Sequence, residues 1–390
     1  MSWKETYNAW KNYQALEPDL KDELAKLEGN DEALEDAFYA PMEFGTAGMR
    51  GVIGAGINRM NVYTVRQATE GLASLMDTLD EETKRRGVAI SYDSRHKSQE
   101  FAFESARVLG AHGIPSFVFE SLRPTPELSF TVRHLHAYAG IMITASHNPK
   151  QYNGYKIYGE DGAQMPPKES DLITKYIREV DDIFAVEAAD KDALINDGTL
   201  KVIGSEIDKE YLAEVKKVTV DPELVAEEGK TMKLIFTPLH GTGAMLGEKA
   251  LRQAGFEDFT MVPEQATPDA DFSTVEHPNP EFPEAFDLAI KLGKRDDADL
   301  LIAVDPDADR LGAAVRQPDG DYKLLTGNQI AAIMLNYILT ARKNAGTLPE
   351  NGALVKSIVS SEFAAKVAKD FGCDTINVLT GFKFIAEQIQ

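Results

Sequence analysis

Short apolar strands alternate with amphipathic helices along most of the chain, and four of the predicted strands end directly in unusually polar segments. Such alternation is typical of α/β layers, in which helices cover a largely buried sheet. The strands and the polar segments after them are Val88–Tyr92 with 93–95, 140–144 with 146–148, 233–236 with 240–243, and Leu300–Val304 with 305–310. Because ligands bind beyond the carboxyl ends of strands in α/β sheets, all four segments are candidate site loops.

The length of the chain predicts more than one domain. At 390 residues it is too long for one ordinary hydrophobic core, so two or three domains are expected. An acidic, weakly apolar stretch over residues 180–204 favours a first boundary, and a hairpin predicted around residues 318–320 lies near a second. Residues 3–38 are predicted to form a helical arm, and residues 67–86 a single helix.

The charge and cysteine content exclude several classes of protein. With 41 basic and 63 acidic residues the formal net charge is −22, which argues against nucleic-acid or anionic-membrane partners. An anionic small substrate stays possible, because a local basic pocket can lie inside an acidic surface. The only cysteine, Cys373, rules out an internal disulfide and a cysteine metal cluster. With no signal-peptide pattern and no apolar run of membrane length, we expect a cytoplasmic enzyme, either a monomer or a weak dimer.

Three aspartates alternate directly after a predicted buried strand. Asp305, Asp307 and Asp309 would repel one another unless a hard cation joins them, and oxygen ligands suit Mg²⁺ or Ca²⁺. An EF-hand needs Gly at the sixth position and Glu at the twelfth, where this sequence has Arg310 and Arg316. An acidic surface turn is the alternative interpretation. Arg310 beside the acids indicates a phosphate, which favours Mg²⁺.

Ser146 lies in a short loop that two lysines follow. Its neighbour is His147, but adjacent side chains usually diverge, so we do not expect a serine–histidine general-base pair. The segment also lacks the Gly-x-Ser-x-Gly pattern of a nucleophile elbow. Lys150 and Lys156 flank residues 151–155, which predicts a cationic, turn-rich surface suited to a phosphate. Taken alone, the segment could equally be a structural turn.

Two glycine-rich segments invite comparison with phosphate-binding loops. Residues 45–51 contain three glycines and Arg50, and glycines let backbone N–H groups approach an anion. Plain turns also have this composition, so the signal alone is weak. The glycines at 241, 243 and 247 have neither dinucleotide-fingerprint spacing nor the Lys-Ser/Thr pair of a P-loop, so neither nucleotide site is predicted. His240 is a candidate only because it lies in a site loop.

Taken together, six segments resemble those of the α-D-phosphohexomutase superfamily, most closely its phosphoglucomutase branch. They are residues 44–51, 92–95, 144–149, 153–156, 305–310 and 380–383, and the resemblance runs from about residue 40 to the last residue. It implies consecutive α/β/α domains with mixed sheets, over residues 1–205, 206–324 and 325–390. The first two would be complete and the third partial, with the active site in the cleft between them.

The resemblance also implies a role for each candidate residue. Ser146 would be the phosphoserine, and Asp305, Asp307 and Asp309 would bind Mg²⁺, with an oxygen of the Ser146 phosphate as a further ligand. Lys156 would be the acid/base lysine, Arg50 would contact the phosphoserine region, and Arg310 would steady the active-site phosphate, with Lys383 in proton transfer. Arg95, His147, Asn148 and His240 are expected to contact the substrate or its phosphate. The implied reaction interconverts glucose 1-phosphate and glucose 6-phosphate through glucose 1,6-bisphosphate.

Two parts of the family pattern are missing from the chain. No Glu-x-Ser-Gly sugar-selecting loop follows Lys383, and no fourth domain with its phosphate clamp is present. The last residues form a predicted amphipathic helix without a cap, so we expect a truncated chain that accepts phosphate and Mg²⁺ but isomerises poorly. The alternatives are a phosphopentomutase, a phosphomannomutase, or a phosphosugar-binding protein with little turnover. A phosphatase is disfavoured, because a closed mutase site must exclude water.

Overall fold

The predicted alternation forms two separate α/β units in the computed structural model, which describes residues 2–45 and 48–389. The units divide between Gly204 and Ser205. Their sheets are mixed or parallel and carry packed helices, which confirms the α/β fold class. Across the described residues, none of the helices has the length and apolar character needed to cross a membrane.

The first unit contains nine helices and six strands within its described residues. The helices are α1 (Trp3–Asn12), α2 (Pro18–Leu27), α3 (Asp31–Phe38), α4 (Val62–Asp77), α5 (Glu81–Arg85), α6 (Ser98–Ala111), α7 (Thr125–His134), α8 (Pro167–Arg178) and α9 (Lys191–Asp197). The strands are β1 (Met49–Val52), β2 (Val88–Tyr92), β3 (Ser116–Phe119), β4 (Ala139–Ile143), β5 (Tyr152–Tyr158) and β6 (Leu200–Ile203).

These six strands form one sheet in the order β1-β5-β4-β2-β3-β6. Strands β4, β2, β3 and β6 are parallel, whereas β5 runs antiparallel to both of its neighbours. Alternation along β2 directs its side chains to opposite faces. Val88 and Ile90 join the main core with α4 and α6, while Ala89 packs with Leu128 and Val132 of α7. Helices on both faces therefore hold β2 and β4 rigidly, with their carboxyl ends at one edge.

Two segments of the first unit differ from their predicted form. The arm over residues 3–38 consists of three helices, because Pro18 begins α2 and Asn30 caps α3. The helix predicted over 67–86 is two helices, since the Asp80 side chain accepts the Thr83 N–H and starts α5. The stretch 180–204, predicted as the first boundary, contains α9 and β6 and ends where the two units divide, and β6 pairs in parallel with β3. Its acidic composition therefore marks a solvent-facing edge of the unit.

The second unit contains a five-stranded mixed sheet and a two-stranded parallel one. Its helices are α10 (Ser205–Lys217), α11 (Pro222–Glu228), α12 (Gly243–Ala254), α13 (Asp287–Asp296), α14 (Gly327–Asn344), α15 (Glu362–Asp370) and α16 (Phe382–Ile389). The strands are β7 (Leu234–Thr237), β8 (Phe259–Met261), β9 (Leu300–Val304), β10 (Leu311–Arg316), β11 (Tyr322–Leu324), β12 (Ala353–Ser357) and β13 (Asp374–Val378). The sheet orders are β11-β10-β9-β7-β8 and β12-β13. The hairpin predicted around residues 318–320 is confirmed, because β10 and β11 pair antiparallel across Gly320, whose φ is +84°.

A histidine joins α6 to α4 in the first unit through two carboxylates. At the end of α6, His112 Nε2 lies 3.0 Å from Glu70 Oε2, and its Nδ1 lies 2.6 Å from Asp77 Oδ2. The hydrogen bond with Glu70, together with Asp77, raises the pKa of His112 to about 9 against the effect of burial. Lys84 also pairs with Asp77, at 2.6 Å. The imidazolium therefore contributes stability that depends on pH.

We expect the free energy of unfolding to fall as the pH rises through about 9. A raised folded-state pKa gives stability that is fully present below the unfolded pKa of 6.5 and is lost as the pH passes the folded value. Because Asp77 is 38% exposed, we expect a loss of the order of 2 kcal/mol rather than the full equivalent of the shift. Urea unfolding at about pH 6 and about pH 10 measures this loss in the free energy of unfolding. His112→Gln, which does not titrate, should lack this component, and identical pH profiles would contradict the assignment.

Candidate active site

Ser146 occupies a strained position in the loop that follows β4. We call residues 144–149 the serine loop. The backbone of Ser146 has a φ of +52°, in the left-handed region, and the residue is 2% exposed. A non-glycine residue in this conformation costs of the order of 1–3 kcal/mol and persists only where its surroundings hold it. The structure must therefore contain groups that fix the serine loop.

Asp93 and Thr144 supply part of that support. Because β2 and β4 are parallel and in register, Asp93 follows β2 directly beside the end of β4, and its N–H donates to the Ile143 carbonyl. The Thr144 hydroxyl donates to Asp93 Oδ2 at 2.6 Å, and its oxygen accepts the Ser146 N–H at 2.8 Å. Complete burial raises the pKa of the Asp93 carboxyl, while Arg95 and the hydroxyls of Thr144 and Ser98 oppose that rise.

Arg95 supplies the rest of the support, in a role that the sequence did not predict. Its Nε donates to Asp93 Oδ2 at 3.1 Å. Its two terminal nitrogens donate to four carbonyl oxygens, those of Ser146, Asn148, Pro149 and Tyr152, at 2.5–3.0 Å. A guanidinium has five N–H donors, and here all five have acceptors within the protein. Arg95 thus supports the serine loop in this structure, and its contact with a substrate phosphate stays a prediction.

His147 lies closer to the serine hydroxyl than the sequence led us to expect. Its Nδ1 is 3.2 Å from Ser146 Oγ, within hydrogen-bonding distance. The expectation that the two side chains diverge is wrong, because the left-handed backbone at Ser146 turns the chain between them. An imidazole beside the hydroxyl can exchange a proton with it and can donate to a phosphate on it.

Arg50 reaches the serine loop from the neighbouring glycine loop, which we define as residues 44–51. Its Nη1 donates to Asn148 Oδ1 at 2.9 Å, so both residues lie at the serine loop as predicted. Gly48 has a φ of +104°, and a Cβ there would lie 1.9 Å from the Tyr155 carbonyl oxygen, so no other residue fits. Two residues of the predicted motif, Thr46 and Ala47, lie outside the described residues.

Lys156 belongs to a buried strand, and the predicted turn-rich surface around it is wrong. Residues Tyr152–Tyr158 form β5, between β1 and β4, and Lys156 is only 5% exposed. Arg50 lies opposite Gly154, two residues before Lys156, so both cations belong to one face of the sheet. The three tyrosines and one isoleucine at 152–158 were a strand signal that the Asn-Gly pair obscured. Lys150, by contrast, is exposed.

The second unit presents three aspartates in the loop between β9 and β10. We call residues 305–310 the aspartate loop. Asp305 and Asp307 are fully buried and Asp309 is exposed, and one carboxylate oxygen from each lies within 4.8 Å of the others. The N–H of Arg310 donates to Asp305 Oδ1 at 3.0 Å, and Ala308 takes a left-handed φ of +54° that closes the turn. The loop thus gathers three oxygen donors in a tight turn.

This donor set fits a magnesium ion. Oxygens that bind one Mg²⁺ at about 2.1 Å lie at most about 4.2 Å apart, so the three carboxylates need only small adjustments. Oxygen-only ligands are those that Mg²⁺ prefers. An EF-hand is excluded on structure as well as on sequence, because Arg316 at its twelfth position lies in β10. The aspartate loop is therefore a candidate magnesium site, held by Asp305, Asp307 and Asp309.

His240 has both ring nitrogens within hydrogen-bonding distance of groups in the second unit, and its contact with the substrate stays a prediction. Nδ1 lies 3.3 Å from the Thr267 carbonyl oxygen and Nε2 lies 2.8 Å from Thr274 Oγ1. The residue is 2% exposed and has a φ of +63°. The next residue, Gly241, packs so closely that a Cβ would lie 2.3 Å from Pro306 Cα. His240 therefore holds its own loop in place, and that loop packs against Pro306 of the aspartate loop.

Arg310 and Lys383 have different surroundings in the second unit. The Arg310 side chain is 41% exposed, and its Nη1 lies 3.7 Å from Glu281 Oε1. Such a loosely paired guanidinium is suited to bind an anion beside the aspartate loop. Lys383, in the first turn of α16, is 6% exposed, with its ammonium 4.7 Å from the centre of the Phe384 ring.

Two buried residues that support the serine loop, Asp93 and Thr144, were not predicted from the sequence. Asp93 stood in a candidate site loop, but its spacing gave no sign that it would accept the Thr144 hydroxyl. Asn153 is a further example, since its Nδ2 donates to the His96 carbonyl and to Ser98 Oγ. The partners are more than fifty positions apart, so only the paired strands reveal them.

Three consecutive segments of the chain match described domain families. These are Phosphoglucomutase/phosphomannomutase, alpha/beta/alpha domain I over residues 41–183, domain II over residues 209–320 and domain III over residues 326–390. Together they account for most of the sequence, and each of the two candidate loops lies inside a matched domain.

Similar proteins include two staphylococcal phosphoglucomutases and one solved structure. The phosphoglucomutase of Staphylococcus aureus (strain USA300) is 39% identical over 356 residues, which are 91% of this chain and 62% of the relative. That of Staphylococcus saprophyticus is 38% identical over 353 residues, 90% of this chain and 62% of the relative. A putative phosphomannomutase from Thermus thermophilus has a TM-score of 0.70 at 25% identity, covering 90% of this chain and 71% of that one. The chain thus spans less than two thirds of the length of both phosphoglucomutases.

Proposed function

Because this chain belongs to the phosphoglucomutase/phosphomannomutase family, we propose that it transfers a phosphoryl group between Ser146 and a sugar phosphate. The net reaction would interconvert glucose 1-phosphate and glucose 6-phosphate, with glucose 1,6-bisphosphate as the intermediate. The observation that carries the proposal is the serine hydroxyl itself, which a strained backbone holds 3.2 Å from an imidazole nitrogen. A serine in an ordinary structural turn has no need of this arrangement.

The first unit would supply the phosphoryl carrier and its acid/base group. The phosphate on Ser146 passes to the free hydroxyl of the sugar phosphate, so the bond to Ser146 Oγ breaks while a bond to the sugar oxygen forms. We propose that Lys156 accepts the proton of that hydroxyl, and that His147, whose Nδ1 lies 3.2 Å from Ser146 Oγ, gives a proton to the departing serine oxygen. Acid/base groups in such positions typically contribute about 10²–10⁴-fold. Arg50, Asn148 and His147 would hold the phosphate oxygens. The other phosphate of the bisphosphate then returns to Ser146.

The second unit would supply the metal and a further cation. Mg²⁺ on Asp305, Asp307 and Asp309 would neutralise charge on the phosphoryl oxygens, the requirement that dominates this chemistry. Arg310 would steady the same phosphate through its guanidinium. Lys383 is assigned to proton transfer at the sugar, a role that depends on a movement of its buried ammonium toward solvent.

Glucose phosphates are the preferred substrates in this proposal, with mannose phosphates second. The 39% identity to a phosphoglucomutase supports glucose, while the structural similarity to a putative phosphomannomutase supports mannose. The choice between them therefore requires a direct comparison of substrates.

An assay on the 390-residue chain tests the proposal. The chain is incubated with Mg²⁺ and glucose 1,6-bisphosphate, and intact-mass spectrometry follows the phosphate on it, while a dehydrogenase-coupled reaction follows glucose 6-phosphate made from glucose 1-phosphate. We expect one phosphate per chain, and glucose 6-phosphate formation that depends on the bisphosphate. Mannose 1-phosphate and ribose 1-phosphate are run in parallel. A sugar-binding protein would bind without covalent phosphate, and a phosphatase would release inorganic phosphate in step with substrate loss.

A further inference from the structure

Side chains hydrogen-bond to the backbone of Ser146 on both sides, one from within the serine loop and one from outside it. Its N–H donates to Thr144 Oγ1 at 2.8 Å, and its carbonyl oxygen accepts from Arg95 at 2.5 Å. Thr144 and Arg95 meet at one carboxylate, because Asp93 Oδ2 accepts from both. A continuous set of hydrogen bonds thus runs from one side of the serine peptide, through Asp93, to the other. We call Asp93, Arg95 and Thr144 the backbone clamp.

We propose that the backbone clamp is a positioning device for phosphoryl transfer, which sets the direction of Ser146 Oγ rather than contacting the phosphate. The inference rests on the proposed function, since it assigns a purpose to the serine's geometry within that reaction. In-line transfer requires the oxygen, the phosphorus and the leaving group to align, and an error of about 1 Å in placement costs on the order of 10²-fold in rate. A strained serine without support would relax and lose that alignment.

The position of the clamp in the sheet supports a dedicated role. Arg95 ties together the carbonyls of Ser146, Asn148, Pro149 and Tyr152, which are the beginning, the turn and the end of the connection from β4 to β5. General stability would not require a guanidinium to collect four carbonyls around one residue with a positive φ. Both Arg95 and Asp93 have side chains with no exposed surface, so solvent does not compete for these bonds.

Thr144 offers the mildest test, because valine has the same shape without the hydroxyl. Thr144→Val removes the acceptor for the Ser146 N–H, and Thr144→Ser restores it. The matched control is Thr131→Val in α7, which also removes a buried hydroxyl, one that donates only to the Glu127 carbonyl at 2.7 Å. Arg95→Lys is a second, harsher variant, because three ammonium donors cannot satisfy five acceptors. The unfolding temperature of each variant is measured as well.

The readout is the rate at which glucose 1,6-bisphosphate phosphorylates the 390-residue chain, measured by intact mass over a range of concentrations. For Thr144→Val we expect the maximal rate to fall about 10²-fold, with the half-saturating concentration changed by less than about threefold. Thr144→Ser should recover most of the rate, and Thr131→Val should match the unaltered chain. A merely structural role would instead lower the fraction of chains that react and the unfolding temperature, in both valine variants alike.

The outcomes separate the clamp from the function on which it rests. If the unaltered chain is phosphorylated and Thr144→Val keeps its maximal rate, the proposed function stands and the clamp inference is overturned. If Thr144→Val raises the half-saturating concentration at an unchanged maximal rate, the clamp serves binding and the inference is again overturned. If the unaltered chain takes up no phosphate, the proposed function fails and the inference fails with it.

Discussion

Replacement of Ser146 by alanine is expected to abolish covalent phosphate uptake and to lower glucose 6-phosphate formation by at least about 10⁴-fold. The physical reason is that Ser146 Oγ is the proposed phosphoryl carrier between the two halves of the reaction, whereas the other hydroxyl of the serine loop, that of Thr144, donates to Asp93. Intact-mass spectrometry after incubation with glucose 1,6-bisphosphate measures the uptake, and the coupled reaction measures turnover.

The matched control for this substitution is Ser116→Ala in the same unit. Ser116 is also a buried serine, on β3, and its hydroxyl has no hydrogen-bond partner among the described residues. Its loss should leave both phosphate uptake and turnover unchanged. A phosphate adduct that survives in Ser146→Ala, or that peptide mapping locates on another residue, would refute the assignment of Ser146.

The strands that carry the two loops were predictable from local pattern. Val88–Tyr92 and Leu300–Val304 are strands with the bounds expected from their apolar runs, and polar residues follow each directly. The aspartate loop was equally visible, because its three acids lie within five positions and the geometry of a turn suffices to gather them. Strands and loops that depend only on residues adjacent in the sequence could thus be predicted without a structure.

Roles that depend on partners far away in the sequence could not be predicted. His240 was placed in a site loop, but its ring is bonded to Thr267 and Thr274, which no local pattern connects to it. Arg95 has the sequence context of a phosphate ligand, but its guanidinium donates to four carbonyl oxygens that lie more than fifty positions away. For Lys156 the Asn-Gly pair favours a turn, but pairing on both sides of β5 overrides that preference. For Arg95 and Lys156, strand pairing brings together the partners that decide the role.

Replacement of Asp307 by asparagine is expected to lower phosphoryl transfer by about 10²–10³-fold and to weaken Mg²⁺ binding. Asp307 is fully buried, and its carboxylate lies within 4.8 Å of two others, so it contributes charge that a bound ion needs at close range. Asparagine keeps the shape and one oxygen ligand but removes that charge. Magnesium titrations of the phosphorylation rate measure both effects, and we expect the half-saturating Mg²⁺ concentration to rise at least about tenfold.

Thermal unfolding gives a readout of the same site that does not depend on catalysis. Without metal, Asp305, Asp307 and Asp309 repel one another, so Asp307→Asn should unfold at a higher temperature than the unaltered chain in the presence of a chelator. With Mg²⁺ at 100 times its dissociation constant, the unaltered chain should gain about 2.7 kcal/mol, and the variant should gain much less. The order of the two unfolding temperatures should therefore reverse when Mg²⁺ is added. Glu257→Gln, which removes an exposed carboxylate elsewhere in the second unit, should show no reversal. If the unfolding temperature of the unaltered chain stays the same across the Mg²⁺ titration, the aspartate loop is ruled out as a metal site. A cation bound by three carboxylates necessarily stabilises the folded state that assembles them.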